Sequence, residues 1–280
     1  LQKSLYKFFI HSPETLIQTF TKMKRIILAA SVLALTFTAC KKETSSNPSN
    51  PSNPDTPTRL LKKLTETENG QTTVYNFTYD AAKRLTAIKT TDNRNTINFT
   101  YDANGNVVKM EQQEDNDFKN VFTFAYNNGI PASGTFKQWE LTAGEPDNLV
   151  EDDVLTYTVS NNLVTKIGVN MTLADEAIDF DLTYVNGNLS KVKANGLQGF
   201  EYSSTFTYGE KKSPFPKVFN YVMDHAGLSV QFFTKNDIRS IVYKIPGMSD
   251  TNITTTYTYD SAGFPLTSTD GSTTTQYEYQ

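Results

Sequence analysis

The sequence predicts an all-β protein, an antiparallel meander of about 16 short strands that curls into a closed or nearly closed barrel. Two observations carry this prediction. A segment of the form aromatic-Thr-Tyr-Asp recurs, with degenerate copies, within residues 59–280, and its tyrosines lie 22, 25 and 24 residues apart wherever two copies directly follow each other. Asn-Gly and Asp-Gly pairs separate many of the alternating segments, and such pairs are the strongest short-range hairpin signals. No segment after residue 40 has sustained helical periodicity.

Residues 1–39 are expected to be removed from the mature protein. Residues 1–22 precede Met23 and are interpreted as an over-extended gene start. Residues 23–39 have the form of a secretory signal peptide, with Met-Lys-Arg at 23–25 followed by 14 uncharged residues at 26–39. That uncharged run is shorter than the ~20 residues that a membrane-spanning helix needs.

Cys40 is the only cysteine of the chain and directly follows this run. Residues 36–40 (Thr-Phe-Thr-Ala-Cys) resemble a bacterial lipobox, in which the cysteine becomes the lipid-modified N-terminus, although Phe37 stands where Leu is usual. The resemblance implies a lipid anchor on Cys40 in the outer membrane of a Bacteroides-group cell, on a face that the sequence does not identify. The alternative is a buried thiol at the end of a core helix, which conflicts with the Ser/Asn/Pro-rich segment that follows.

Residues 40–58 are predicted to form the lipidated cysteine and an extended tether. Three Ser-Asn-Pro triplets fill positions 46–54, and each proline disfavours helix at the residue before it. At polyproline II rise the tether reaches about 55 Å. Removing residues 1–39, which carry five Lys or Arg and one Glu, takes the formal charge from -4 to -8. An acidic chain without basic blocks is a poor candidate for nucleic-acid binding.

Residues 59–280 are predicted to be one β-meander repeat domain in which each repeat is a hairpin. In the first clear copy the aromatic residues Tyr75, Phe77 and Tyr79 alternate along a strand, so one face is apolar and the other carries Asn and Thr. The following Asp is expected to cap a turn by accepting hydrogen bonds from backbone amides ahead of it. Copies start at Phe77, Phe99, Phe124, Leu182, Phe206 and Tyr257, with further degenerate copies expected around Tyr157 and at 230–232.

The segments Phe-Thr-Tyr-Asp-Ala-Asn-Gly at 99–105 and Phe-Thr-Tyr-Asp-Ala-Ala-Lys at 77–83 resemble the YD repeats of bacterial cell-surface proteins. Together with the lipobox and tether, they resemble an uncharacterised family of Bacteroides-group lipoproteins described as a domain of unknown function with a porin-like fold. The resemblance implies an envelope lipoprotein with a meander barrel over residues 59–280. It supplies no catalytic or binding residue.

A membrane-spanning porin is not expected. Spanning strands need ~9–11 residues and an apolar lipid-facing row. Here the strands are expected to have about 5–8 residues, and the non-aromatic rows carry Asn, Thr, Gln and Lys. A barrel that faces water on its outside is the better interpretation.

Candidate site residues are few. His225 follows Asp224, but an adjacent Asp is poorly placed to orient its neighbour's ring, so a turn histidine is favoured over a general base. The acidic runs at 111–117 and 145–153 are interpreted as solvated loops rather than Ca2+ sites, because their spacing matches no calcium loop. Trp139 is interpreted as either a core residue or a sugar-stacking residue. Asp80, Asp102 and Asp260 are interpreted as turn caps.

The expected function is a lipid-anchored envelope binding or interaction module with no catalytic residues, cofactor or metal. Its partners are expected to be the membrane, through the acyl anchor, and a glycan or envelope protein of unknown identity. The oligomeric state is left open. A purely architectural envelope protein is the alternative, and a glycan hydrolase of unrecognised type is a weaker one. An aromatic pocket that is open to solvent would favour the binding module, a featureless filled shell the architectural protein, and facing carboxylates in a cleft the hydrolase.

Overall fold

The computed structural model describes residues 59–115, 117–195, 202–225, 227–245 and 249–280. The gene start, the signal peptide, Cys40 and the tether lie outside the described residues and remain predictions. Within the described part, no helix has the length and apolar character needed to cross a membrane.

The chain forms 17 strands and one short helix, α1. The strands are β1 (Leu61–Glu68), β2 (Gln71–Tyr79), β3 (Leu85–Thr90), β4 (Thr96–Tyr101), β5 (Val107–Glu114), β6 (Phe118–Asn127), β7 (Ile130–Glu140), β8 (Asn148–Ser160), β9 (Leu163–Met171), β10 (Glu176–Val185), β11 (Asn188–Asn195), β12 (Tyr202–Lys212), β13 (Asn236–Lys244), β14 (Thr251–Thr254), β15 (Thr256–Tyr259), β16 (Pro265–Thr269) and β17 (Thr273–Tyr279). Helix α1 spans Leu228–Gln231.

These strands form one antiparallel meander that closes on itself. Each strand from β1 to β13 pairs with the next one along the chain, and β17 pairs with β1. Only Thr255 separates β14 from β15, and its amide donates to the Arg239 carbonyl at 2.7 Å, so the two segments continue one line along β13. The predicted meander barrel is confirmed. Several strands are longer than predicted, because β8 has 13 residues and β7 has 11.

The repeated tyrosines join neighbouring hairpins at one end of the barrel. Tyr79, Tyr101 and Tyr126 donate their hydroxyls to the carbonyls of Leu61, Leu85 and Val107, at 2.7 to 2.9 Å. Each acceptor is the first residue of the strand that immediately precedes the strand of the tyrosine in the meander. The strand register shifts directly before each of these three tyrosines, because a β-bulge places one extra residue on the partner strand. The repeat therefore combines a strand, a hydroxyl link to the strand before it and a bulge in the strand after it.

The repeat aspartates cap turns as predicted. Asp102 Oδ1 accepts from the amides of Asn104 and Asn106 at 2.9 and 2.8 Å. Its bonds to Asn106 hold the pKa of the Asp102 carboxyl below its usual value. Asp80 and Asp260 accept from equivalent amides. These aspartates therefore have a structural role as turn caps.

Residues 213–225 and 227–235, which lie between β12 and β13, fill the inside of the barrel; we call them the lumenal segment. Phe219 packs on Phe99 and Phe124, while Phe233 packs on Tyr184, so the segment contacts strands from different parts of the ring. Its buried apolar residues are Phe219, Val222, Met223, Leu228, Val230, Phe232 and Phe233. The prediction that 230–232 is a further strand copy is wrong, because α1 and the turn after it occupy that place.

The apolar face of the barrel is its inner face. Along β2 the residues Tyr75 and Phe77 are buried, whereas Asn76 and Thr78, which alternate with them, are exposed. This polarity is the reverse of that of a membrane-spanning barrel, whose outer band is apolar. The lumen is therefore a hydrophobic core, built jointly by the wall and the lumenal segment.

Candidate functional site

The Asp224–His225 pair does not form a catalytic dyad. Asp224 Oδ1 accepts from the amide of Leu228 at 2.8 Å, and its Oδ2 accepts from the amide of Ser229 at 2.6 Å. Asp224 therefore holds the first turn of α1. His225 lies in a turn, as predicted from the sequence. The prediction did not reveal that this turn lies inside the barrel.

The His225 ring lies among three aromatic rings of the barrel wall. Its centroid is 6.4 Å from that of Phe122, 5.3 Å from Phe136 and 5.7 Å from Phe180. Burial among these rings lowers the pKa of His225, against the smaller opposing effect of Asp224. The imidazole is therefore neutral near pH 7, the form in which histidine binds metal ions.

Strand β8 brings two carboxyl groups to this histidine. Glu151 and Asp153 are two positions apart on the strand and share its inward face, while Asp152 points outward and pairs with Lys137 at 3.1 Å. The interpretation of 145–153 as a solvated loop is wrong for residues 148–153, because they belong to β8 and Asp153 is 1% exposed. The run at 111–117 is likewise part strand, since 111–114 belong to β5.

Glu151, Asp153 and His225 form a compact cluster, which we call the lumenal triad. One ligand atom from each residue lies within 4.8 Å of the others, and His225 Nε2 is 3.9 Å from Asp153 Oδ2. Both carboxylate oxygens of Asp153 are buried and receive no hydrogen bond from an amide, a hydroxyl group or a cationic side chain, so the neighbouring Glu151 carboxyl is the only group that hydrogen-bonds with them among the described residues. His225 Nδ1 is also buried without a hydrogen-bond partner. Among the described residues, no Lys or Arg pairs with either carboxylate.

The surroundings of the triad disfavour negative charge. Burial, followed by the nearby Asp153 carboxylate, raises the pKa of Glu151 to about 8. Burial is also the main cause that raises the pKa of Asp153 to about 6. The structure thus holds two carboxyl groups in a site where a proton or a cation must neutralise them.

A cavity of about 80 Å³ adjoins the triad on the side of His225. Its wall includes the rings of Phe180, Tyr202, Phe206 and Tyr243, together with the lumenal-segment residues Asp224 and Gln231. Tyr202, Phe206 and Tyr243 are partly exposed, and the Tyr202 and Tyr243 rings stack with centroids 6.4 Å apart. The cavity is large enough for several water molecules or a small chemical group.

A second buried acidic cluster lies at β13 and has a different character. Asp237 is fully buried, and it accepts from the Lys211 amide at 2.9 Å, the Tyr259 hydroxyl at 2.8 Å and the Arg239 guanidinium at 2.5 Å. A side chain at Gly209 would collide with this group, since a Cβ there would lie 2.6 Å from Arg239 Nε. We call this group the β13 cluster, and its polar contacts are satisfied within the protein.

Trp139 is neither a core residue nor part of the cavity wall. It is half-buried on β7, and Lys119 Nζ lies 5.3 Å from its ring centroid. His225 and the acidic run at 145–153 are both recognisable in the sequence, but no spacing motif joins a carboxylate pair to a histidine more than 70 residues later.

The comparisons with known proteins agree with the repeat and the fold. Residues 79–112 match the family model of the RHS repeat. Similar solved structures include a porin-like protein from Bacteroides vulgatus ATCC 8482, with 13% identity and a TM-score of 0.50, covering 79% of this chain and 99% of that chain. A porin-like protein from Bacteroides uniformis ATCC 8492 has 15% identity and a TM-score of 0.49, covering 80% and 99%.

None of the curated proteins is significantly similar in sequence. At 13% identity the Bacteroides vulgatus structure supports the fold alone. The chain therefore has a porin-like fold built from repeats of the RHS or YD type.

Proposed function

We propose that the chain is a lipid-anchored binding or interaction module of the bacterial cell envelope, held at the outer membrane by an acylated Cys40. The lipobox-like segment and the Ser-Asn-Pro tether support the anchor. The polar outer face of the barrel supports a domain that stands in water at the end of that tether rather than within the bilayer. The module is proposed to be non-catalytic, because the described residues contain no nucleophile paired with a base.

The observation that carries the binding role is the cavity beside the triad. Three aromatic rings, those of Tyr202, Phe206 and Tyr243, line it and keep part of their surface exposed. Aromatic rings with accessible faces and a few polar groups are typical of small-ligand sites. A glycan is a suitable partner class, because sugar rings stack on aromatic faces and their hydroxyls suit polar groups such as Gln231.

Thermal-shift screening of the purified protein against glycans and peptidoglycan fragments tests this role. A bound fragment raises the melting temperature of the wild type by mass action. Tyr243→Ala should abolish the shift, while Trp139→Ala, which removes an aromatic ring outside the cavity, should preserve it. A panel that shifts no melting temperature, or a shift that survives Tyr243→Ala, would favour the architectural alternative.

Mass spectrometry and fractionation test the anchor separately. The mature wild type should begin at Cys40 and carry added lipid mass, and Cys40→Ser should leave the membrane fraction without a change in melting temperature. Two or more long acyl chains suffice for firm binding, since each buried CH2 contributes ~0.8 kcal/mol. An unmodified N-terminus upstream of Cys40 would overturn the anchor. Protease shaving of intact cells then distinguishes the two faces of the outer membrane.

A further inference from the structure

We propose that Glu151, Asp153 and His225 bind a divalent transition-metal cation, with Zn2+ as the best match. This site shares His225 with the wall of the cavity but does not depend on the proposed binding role, and neither the repeat family nor the fold assigns it. The first argument is the state of Asp153, which is 1% exposed and receives no hydrogen bond from an amide, a hydroxyl group or a cationic side chain, so that its only polar neighbours in the cluster are the other two proposed ligands. Buried carboxylates in folded proteins are paired, protonated or bound to metal.

The donor set selects the class of cation. One imidazole and two carboxylates suit Zn2+ and its neighbours in the first transition series. Ca2+ and Mg2+ prefer sites made of oxygen alone. Three protein ligands also leave a coordination position free for water or for a group of a bound ligand. The adjoining cavity lies next to His225, where such a group is able to reach the cation.

The ligand atoms of the triad lie slightly farther apart than they would around a bound metal ion. Bonds of about 2.1 Å in tetrahedral geometry place ligand atoms about 3.4 Å apart. The corresponding atoms here are 3.9 Å apart for His225 and Asp153, and within 4.8 Å across the whole triad. Small side-chain rotations close the difference.

The site joins two parts of the barrel that are distant in sequence. Glu151 and Asp153 belong to the wall strand β8, whereas His225 belongs to the lumenal segment. Near them, the Tyr157 hydroxyl of the same strand donates to the Met223 carbonyl at 2.7 Å. This hydrogen bond already fixes the lumenal segment to the wall beside the triad. A cation held by the triad would fasten the segment to the wall, and binding would therefore stabilise the fold.

Calorimetric titration of the EDTA-treated full-length protein with Zn2+, followed by thermal unfolding, tests the proposal. We expect one Zn2+ per chain and a rise in melting temperature. Asp153→Asn and His225→Gln should each weaken binding by more than about 100-fold, since loss of an outer-shell partner alone costs about 10–100-fold. Asp152→Asn is the matched control on the opposite face of β8 and should bind as the wild type does.

Asp153→Asn should fold well, because it removes a buried charge without a cationic partner, so its loss of Zn2+ binding cannot be ascribed to misfolding. Absence of stoichiometric Zn2+ binding by the wild type would overturn the proposal. Equal Zn2+ binding by the wild type and both ligand variants would also overturn it, because the cation would then be held elsewhere. Ca2+ binding that matches Zn2+ binding and is insensitive to His225→Gln would overturn the assigned donor set.

Discussion

The β13 cluster and the lumenal triad both bury an aspartate almost completely, but only the β13 cluster surrounds it with a cationic side chain and hydrogen-bond donors. Asp237 is 0% exposed and receives hydrogen bonds from Arg239, Tyr259 and a backbone amide. Asp153 is 1% exposed and receives no hydrogen bond from an amide, a hydroxyl group or a cationic side chain, since its one carboxyl neighbour is Glu151. Burial alone therefore does not identify a functional acid. The useful distinction is whether the fold also supplies the partners of the buried charge.

The origin of the partners explains the difference. Arg239 follows Asp237 by two positions on β13, and Tyr259 is a repeat tyrosine on the next part of the meander. The strand register thus supplies the neutralising groups of Asp237. Asp153 faces the lumenal segment, which supplies a neutral imidazole and no cationic side chain. At β13 the wall supplies the partners of its buried aspartate, whereas at β8 the lumenal segment supplies no cationic partner and leaves a position that a ligand can fill.

The largest expected effect is the loss of the charge of Asp237. Asp237→Asn leaves the Arg239 guanidinium without its ion pair and turns an amide toward groups that are donors. Removing one partner of a buried pair typically costs ~3–5 kcal/mol, and because Arg239 is partly exposed we expect about 3 kcal/mol. Urea unfolding measures this loss. A decrease below about 1 kcal/mol would show that the β13 cluster is not a structural centre.

Glu66 on β1 is a third buried acid, and it is neutralised by a proton. Burial raises the pKa of Glu66 to about 8, so the folded protein keeps this proton while the unfolded chain releases it near pH 4.5. The folded state binds more protons in this interval, so the free energy of unfolding falls as pH rises from about 4.5 to 8.

Glu66→Gln should remove that fall in stability. We expect the variant to match the wild type near pH 4.5 and to be more stable by about 2 kcal/mol near pH 8. Unfolding curves across this pH range measure the difference. Glu140→Gln, an exposed change on β7, is the control and should leave the pH dependence unaltered. Parallel pH profiles of the wild type and Glu66→Gln would contradict the assignment.

Asp153→Asn should raise the stability of the fold, whereas Asp237→Asn should lower it. In metal-free protein, Asp153→Asn removes a buried carboxylate that has no cationic partner, and we expect stability to rise by about 1 kcal/mol at pH 8. Chemical denaturation in EDTA measures it. A loss of stability as large as that of Asp237→Asn would mean that Asp153 has partners within the fold, and the contrast between the two clusters would fail.

The smallest expected effect concerns a contact that the repeat makes many times. Tyr101→Phe removes the hydroxyl that donates to the Leu85 carbonyl at 2.7 Å and keeps the ring. A hydrogen bond of this kind contributes about 0.5–1 kcal/mol net. Tyr221→Phe in the lumenal segment is the matched control, for which a smaller change is expected. Equal effects of the two variants would indicate that the hydroxyl link between hairpins adds nothing to stability.

The sequence alone determined the parts of this protein whose physics is local. Alternating aromatic residues, turn-capping aspartates and Asn-Gly pairs act within about ten residues, so the hairpins, the buried face and the role of Asp102 were predictable. The number of strands and the curling of the sheet followed from repeating that unit. The bulge in the strand after each repeat tyrosine was not predicted, since it depends on pairing with the neighbouring strand.

Only the tertiary structure decided what fills the barrel. The lumenal segment has no repeat, and its place inside the ring follows from the need to fill the lumen with apolar side chains such as Phe219 and Phe232. That placement brings His225 to Asp153, more than 70 residues earlier in the chain. Neither residue carries a local signal of the other, because their proximity depends on closing the ring around the segment. The hairpins were therefore predictable from the sequence, whereas the lumenal triad forms only in the folded barrel.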